Sequence, residues 1–327
     1  MITPAASYRR ILLTGGTGFV GATLAPALAA AYPEAERLLL RRPADSAARS
    51  GWANAEAEIT DAAALDALVA RFRPDLVLHL AAQASVGAGF GAAEATWRVN
   101  FGGTFELAVA CARHAPDSTF LFVSSSEVYG WSFRDGPAPE DAALRPMNAY
   151  ARAKAAAEAM LPDVLAPQTK LIIARPFNHT GPGQDQRFVL PSLAAQIAAI
   201  EAGRKPPKLD VGNLAAERDF LDVRDVCAAY LALLAAAPGL QRGEAFNIAS
   251  GLSYSIGDLV DMFRSLAKVP FETVVDAARM RPLDIPRAIG QPTRLHAATG
   301  WRPTVAIPQI MGSLLDHWRK SASAERA

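Results

Sequence analysis

The first apolar run of the chain, Arg10-Ile-Leu-Leu-Thr14, ends directly in Gly15-Gly-Thr-Gly-Phe-Val-Gly21, and Ala-rich sequence follows to about Ala31. A strand, a glycine turn and a helix in that order restrict the possible folds more than any other feature. The glycines fit both Gly16-x-Gly18-x-x-Gly21 and the variant Gly15-x-x-Gly18-x-x-Gly21. In a parallel βαβ unit this is the pattern of a dinucleotide site. Gly15 and Gly16 let the chain turn tightly against a pyrophosphate, Gly18 opens the helix, and Gly21 lets the helix lie close to the sheet. The free N–H groups of the helix N-terminus then face the phosphates.

The alternation continues along the chain. Arg37 to Arg41, Glu56 to Ile59 and Leu76 to Leu80 read as strands, and Asp61 caps a helix that runs to Phe72. Helix 94–113 leads to strand Thr119–Val123, and helix 149–161 leads to strand Lys170–Ala174. Repeated units of this length predict an α/β fold built on a doubly wound parallel sheet of Rossmann type, with ligands at the strand C-terminal ends. After Arg175 the sequence becomes rich in turns, and a helix and strand within 219–249 return to the sheet. The expected dinucleotide-binding domain is therefore 1–176 with 219–249. Segments 177–218 and 250–320 are expected to form a smaller α/β substrate domain.

Charge narrows the partners. With 33 basic and 32 acidic side chains the net charge is +1, which gives no reason to expect nucleic acid or an anionic membrane. Cys111 and Cys227 sit in apolar helical patterns and read as reduced core residues, so neither a disulfide framework nor a metal is expected. The polar start has no signal-peptide pattern, and no apolar run is long enough to span a bilayer; a cytoplasmic protein is expected. His79, inside an apolar strand, reads as a core histidine with its hydrogen bonds satisfied.

Two local features carry chemistry. The second strand ends on Arg41-Arg42, where an NAD site would place an acid for the ribose hydroxyls and where Arg suits the 2′-phosphate of NADP. NADP(H) is the expected cofactor, and NAD(H) stays open because such a pair can also be solvated loop charges. Tyr150 and Lys154 are four apart on a helix, hence on one face. The ammonium is expected to favour the phenolate and lower its pKa below about 10, which suits proton transfer near neutral pH.

Together with His79-Leu-Ala-Ala-Gln83 and Ser124-Ser-Ser-Glu-Val-Tyr-Gly130, these blocks make the chain resemble the extended short-chain dehydrogenases almost from end to end. The resemblance implies a triad of Ser125, Tyr150 and Lys154, with Asn100 shaping the site. It also implies a cofactor held by Gly15, Gly18, Phe19, Val20, Gly21, Arg41, Arg42, Ala81, Ala82, Asn100, Tyr150 and Lys154. Segments 174–184, 211–225 and 279–286 are similar to those of the GDP-6-deoxy-D-mannose reductases, which reduce GDP-4-keto-6-deoxy-D-mannose to GDP-D-rhamnose. That likeness implies sugar-nucleotide contacts from Ser125 and Asn178, and diphosphate contacts from Arg218 and Arg281. Glu127 occupies the place of the base in related dehydratases, so a GDP-mannose 4,6-dehydratase and a C4 epimerase remain the alternatives. A homodimer built on helices 94–113 and 149–161 is the implied assembly, with the small-residue stripe Ala151, Ala155 and Ala159 permitting close packing.

Overall fold

The computed structural model describes residues 7–45, 48–83, 93–280 and 285–324. Its centre is a seven-stranded sheet made of β1 (Arg10–Thr14), β2 (Glu36–Arg41), β3 (Ala53–Glu56), β4 (Leu76–His79), β5 (Thr119–Val123), β6 (Lys170–Pro176) and a late strand, β11 (Glu244–Ile248). The order is β11-β6-β5-β4-β1-β2-β3 and every pairing is parallel. Parallel strands covered on both faces must be apolar throughout, and Ile11–Leu13, Leu76–Leu78 and Phe120–Phe122 are all fully buried.

Alternate residues feed two cores. Ile11, Leu13, Leu78 and Leu121 point toward α1 (Phe19–Ala31) and α7 (Val223–Ala236). Leu12, Val77, Phe120 and Phe122 point toward α2 (Ala62–Phe72), α4 (Gly103–His114) and α5 (Ala149–Val164). Asp61 caps α2 as its sequence position predicts, accepting from Ala64 N at 3.0 Å. The strand order reverses between β1 and β4, which opens a crevice where the glycine turn lies.

Two elements depart from the expected pattern. The edge strand is Ala53–Glu56 and not 56–59, because the buried Ala57 and Ile59 join the helix-side core after the chain has left the sheet. An edge strand needs only backbone pairing with β2, so its apolar pattern is weak. Helix 94–113 is divided into α3 (Ala93–Trp97), a π turn (Arg98–Gly102) and α4.

The remaining elements build a second body. α6 (Val189–Glu201), α8 (Ile256–Leu266) and α10 (Ile307–Ala324) pack Leu193, Ile197, Leu259, Phe263, Ile310 and Leu314 into a separate core at helical spacing. Short sheets surround it: β7 (Asn178–Thr180) with β10 (Phe220–Asp222), β8 (Lys208–Val211) with β13 (Glu272–Val275), and β9 (Glu217–Arg218) between β12 (Tyr254–Ser255) and β14 (Arg287–Ala288). Leu295 on α9 (Thr293–Thr299) and Trp301 lie in the core beneath the large sheet. Asp219, fully buried, accepts from Ser250 N, Ser250 Oγ and Gly251 N at 2.9, 2.6 and 2.9 Å, and so ties β9 and β10 to the loop after β11. Among the described residues no helix is long and apolar enough to cross a membrane.

Beneath α5 lies a buried ion pair. Arg175 at the end of β6 makes bonds from Nε and Nη2 to Glu158 at 3.0 and 2.6 Å, and its Nη1 donates to Tyr129 Oη and Glu140 O, both at 2.8 Å. Ser124 Oγ also donates to Glu158. Burial opposes the Arg175 charge, but the bonds and charge of Glu158 outweigh it and hold the guanidinium pKa above its ordinary value. Removing one partner leaves the other charge uncompensated, which typically costs about 3–5 kcal/mol. Glu158→Ala is accordingly expected to lower the unfolding free energy by an amount in that range, read as a lower urea midpoint at unchanged slope, and an unchanged midpoint would show the pair to be dispensable.

Candidate active site

Steric limits at the crevice dictate its glycines. Gly15 has φ +70°, and a Cβ there would lie 2.6 Å from Ala81 N at the end of β4. A Cβ on Gly21 would strike the Gly16 backbone, so α1 comes as close to the turn as its own main chain allows. Gly18 is the N-cap of α1 and supplies no side-chain cap, and the first turn carries no acid. The N–H groups that begin α1 therefore have no side chain of the cap set against them, which fits a bound diphosphate. Phe19 stacks on His179, with ring centroids 6.3 Å apart and planes 8° off parallel, and joins the turn to the segment after β6. Val20 packs into the core under α7.

The basic pair at the end of β2 is engaged locally. Arg41 donates to Asp45 O at 2.6 Å and pairs with Glu56, while Arg42 pairs with the Asp45 carboxylate at 2.8 Å. Asp45 also accepts from Thr17 Oγ1 at 2.8 Å, so it stands between the basic pair and the glycine turn. Arg49, which nothing in the sequence singles out, clamps the turn from outside through Gly16 O and Thr17 O at 2.9 and 3.0 Å. On the facing side Ala81 N donates to Thr14 Oγ1 at 3.2 Å. After Ala82, Gln83 N donates to Asn100 Oδ1 at 2.7 Å, and Asn100 Nδ2 returns a bond to Gln83 O at 3.3 Å. Asn100 is fully buried in the π turn. π turns often mark functional sites.

Ser125, Glu127, Tyr150 and Lys154 converge where β5 ends and α5 begins. Ser125 caps a short 3₁₀ turn, accepting from Glu127 N at 3.2 Å, and its hydroxyl is near enough to Tyr150 to act on the phenol. Of the neighbouring serines, Ser124 is bound to Glu158 and takes no part in this cluster. Asn148 caps α5 through Ala151 N at 2.8 Å and reaches Glu127 Oε2 with its Nδ2 at 3.4 Å. Its preference for a helix N-cap is the signal by which sequence reading finds such a residue.

The electrostatics differ from the expectation. Burial pushes the Tyr150 phenol up to about 12; the Ser125 hydroxyl lowers it and the Glu127 charge raises it further. Lys154 does not reverse this, because its Nζ is turned to Val123 O at 2.7 Å and lies over the Phe122 ring at 4.7 Å. Burial also drives the Lys154 ammonium down to about 7, with Glu158 acting in the opposite direction. Tyr150 consequently holds its proton at neutral pH, the state of a donor.

The residues expected to bind the sugar nucleotide lie on the segment after β6 and on β9. Asn178 on β7 donates to Asp219 O at 3.5 Å, next to Arg218, whose Nη1 donates to Glu217 O and Ile285 O at 2.8 and 2.7 Å. Arg281 lies outside the described residues. Among those described, no group of acids, histidines and cysteines is suited to a metal.

Lys154 also makes stability depend on pH in a definite sense. Its folded pKa of about 7 lies below the ordinary 10.5, so between those values the unfolded chain binds the extra proton and stability rises with pH. Lys154→Met should therefore melt higher than the wild type at pH values below that window. The advantage should shrink steadily across it, and a difference independent of pH would mean that the ammonium is not desolvated.

Comparison with known proteins agrees with this geometry. A family model described as GDP-mannose 4,6 dehydratase matches residues 12–314. The GDP-6-deoxy-D-mannose reductase of Pseudomonas aeruginosa is 35% identical over 319 residues, covering 97% of this chain and 99% of its own. The solved structure of RMD from Pseudomonas aeruginosa complexed with NADPH superposes with a TM-score of 0.80 at 34% identity, covering 95% of this chain and 99% of that one. The Thermus thermophilus UDP-glucose 4-epimerase complex with NAD gives 0.80 at 27% identity over the same shares. With its parallel sheet, its glycine turn and the Ser125–Tyr150–Lys154 cluster, this chain belongs to the GDP-mannose 4,6 dehydratase family of the extended short-chain dehydrogenases.

Proposed function

We propose that the protein reduces the 4-ketone of GDP-4-keto-6-deoxy-D-mannose to GDP-D-rhamnose with NADPH as a cytoplasmic enzyme. The reading is carried by the 35% identity, over 97% of this chain, to a reductase of that sugar class, and a protonated Tyr150 phenol near the Ser125 hydroxyl fits it. A ketone that receives hydride needs a proton donor at its oxygen. An enzyme that begins by oxidising an alcohol needs a base in the same place.

NADPH, when bound, supplies the hydride. Gly15 and the N–H groups from Gly18 to Gly21 would receive its diphosphate, Arg41 and Arg42 the 2′-phosphate, and Ala81 and Ala82 the adenosine side, with Asn100 holding Gln83 behind them. Lys154 would hold the nicotinamide ribose, with Tyr150 beside it at the reacting carbon. For Arg42 to bind a phosphate, the anion must compete with Asp45, which narrows the preference for NADPH and keeps NADH as a second cofactor. The Ser125 hydroxyl hydrogen-bonds the ketone oxygen as negative charge grows there, and Tyr150 Oη gives that oxygen its proton. Asn178 would orient the sugar nucleotide, and Arg218 and Arg281 would pair with its diphosphate, for which guanidinium forks are well shaped. Glu127, tied to Asn148, has no proton to remove in a ketone reduction.

The test uses both sugars. With GDP-4-keto-6-deoxy-D-mannose the protein should oxidise one NADPH per sugar, faster than NADH, and leave the C6 methyl unchanged. With GDP-mannose alone it should do nothing. Tyr150→Phe should lower kcat at least ~10²-fold with little change in NADPH affinity, and Glu127→Gln should cost only a few-fold. A keto sugar formed from GDP-mannose without loss of NADPH would assign a dehydratase and move Glu127 into the mechanism.

The same reading includes a homodimer. Trp97 and Phe105 are 38% and 37% exposed, and Phe101 lies between them at four-residue spacing, its ring 6.0 Å from that of Trp97. This aromatic stripe lies on α3, the π turn and α4, which pack beside α5. Large exposed apolar side chains in one stripe favour a protein partner. Light scattering at micromolar concentration should give a dimer for the wild type and a monomer for Phe105→Glu, and a monomeric wild type would discard the assembly.

A further inference from the structure

His79 ends β4 with no exposed surface, and the chemistry above does not use it. Its ring nitrogens face two threonine hydroxyls: Nδ1 lies 2.7 Å from Thr14 Oγ1, and Nε2 lies 2.9 Å from Thr104 Oγ1. A hydroxyl has one proton to give. Thr104 donates its proton to Asn100 O at 2.7 Å, so toward His79 it can only accept, and Nε2 must carry the hydrogen. Nδ1 of the neutral ring is then an acceptor and takes the Thr14 proton. Thr14 Oγ1 in turn accepts from Ala81 N–H at 3.2 Å. Every bond in the chain now has one direction, from Ala81 to Thr14, to His79, to Thr104, to Asn100. A protonated ring would set a second donor against Thr14. Burial, helped by the Lys154 charge, keeps the ring neutral down to about 3.

This chain begins and ends on one segment. Thr14 immediately precedes Gly15, whose tight approach to Ala81 shapes the crevice, and Asn100 brackets the Gln83 backbone with two bonds. His79 therefore stands between a clamp on Ala81 and a clamp on Gln83. We propose that His79 is a positioning residue for the dinucleotide: as the neutral ring with its hydrogen on Nε2, it holds Thr14 and the Asn100 turn at one spacing. In doing so it sets Ala81–Gln83 beside the glycine turn. The inference rests on the dinucleotide-binding reading given above. A histidine that only fills the core would influence stability and leave the affinity of the folded protein for the dinucleotide alone.

The experiment compares Thr104→Val, Thr104→Ser and His79→Phe by fluorescence titration with NADPH and by thermal melting, with ¹⁵N imidazole shifts recorded on the wild type. Loss of the buried hydroxyl or ring is expected to weaken NADPH binding about ten-fold. Thr104→Ser, which keeps the hydroxyl, should bind within about two-fold of the wild type, as expected when the hydrogen bond and not the methyl matters. The imidazole should be the neutral Nε2–H tautomer at neutral and mildly acidic pH. If Thr104→Val and His79→Phe melt lower but bind NADPH as tightly as the wild type, the role of His79 is overturned. If His79→Phe does not fold, the two Thr104 variants decide. An Nδ1–H tautomer, or a ring that titrates near neutral pH, also overturns it. A wild type that binds neither NADPH nor NADH overturns the cofactor reading itself, a result distinct from equal binding by wild type and variants.

Discussion

The carboxylate of Glu158 is buried one helical turn beyond Lys154, and three groups depend on it. It neutralises Arg175, accepts from Ser124, and its charge opposes the loss of the proton from Lys154. These contacts join β5, β6 and α5 at the sheet's C-terminal end, where Ser125, Tyr150 and Lys154 must keep their mutual positions. An apolar replacement could pack the same volume at less desolvation cost. The ion pair instead gives direction, because Arg175 also fixes Tyr129 Oη, which donates to Asn247 Oδ1 on β11 at 2.7 Å. The site thus rests on a polar framework that reaches across three neighbouring strands.

A second constraint acts at the switch point. β1 and β4 approach so closely at Gly15 and Ala81 that the backbone itself forms the wall of the crevice. A wall of main chain has few adjustable parts, and its shape is set from behind by Thr14, His79, Thr104 and Asn100. The π turn belongs to the same arrangement. It leaves the Asn100 carbonyl to accept from the Thr104 hydroxyl and turns the Asn100 amide toward Gln83.

Burial also decides the direction in which the cluster can move a proton. An ammonium over an aromatic ring and against a carbonyl, excluded from water, loses much of its preference for the charged state. Its influence on the phenol falls accordingly, and desolvation governs Tyr150. The result is an acid at neutral pH, which suits a ketone that is becoming an alcohol. The charges at the end of β2 follow similar logic: Asp45 and Glu56 already pair with Arg42 and Arg41, so any further anion at this strand end must compete with them.

Much of this was legible in the sequence for local reasons. Apolar runs of strand length, the glycine turn, the Asp61 cap and the four-residue spacing of Tyr150 and Lys154 depend on neighbours within a turn or two, so the chain by itself determined the doubly wound sheet and which residues share the face of α5. The edge strand at Ala53–Glu56 was missed because a strand paired on one side needs little apolar pattern, and the π turn because its cause, Thr104 and the Gln83 backbone, lies in side-chain bonding. The choice of Ser125 over its neighbour Ser124 came from motif resemblance, and the structure adds that the Ser124 hydroxyl is occupied by Glu158. The charge of Lys154, the proton on Tyr150, the tautomer of His79 and the clamp made by Arg49 were decided by tertiary structure alone. Each depends on desolvation and hydrogen-bond partners brought together from distant parts of the chain, as Thr14 and Thr104 are around His79, and no periodic pattern encodes such a meeting.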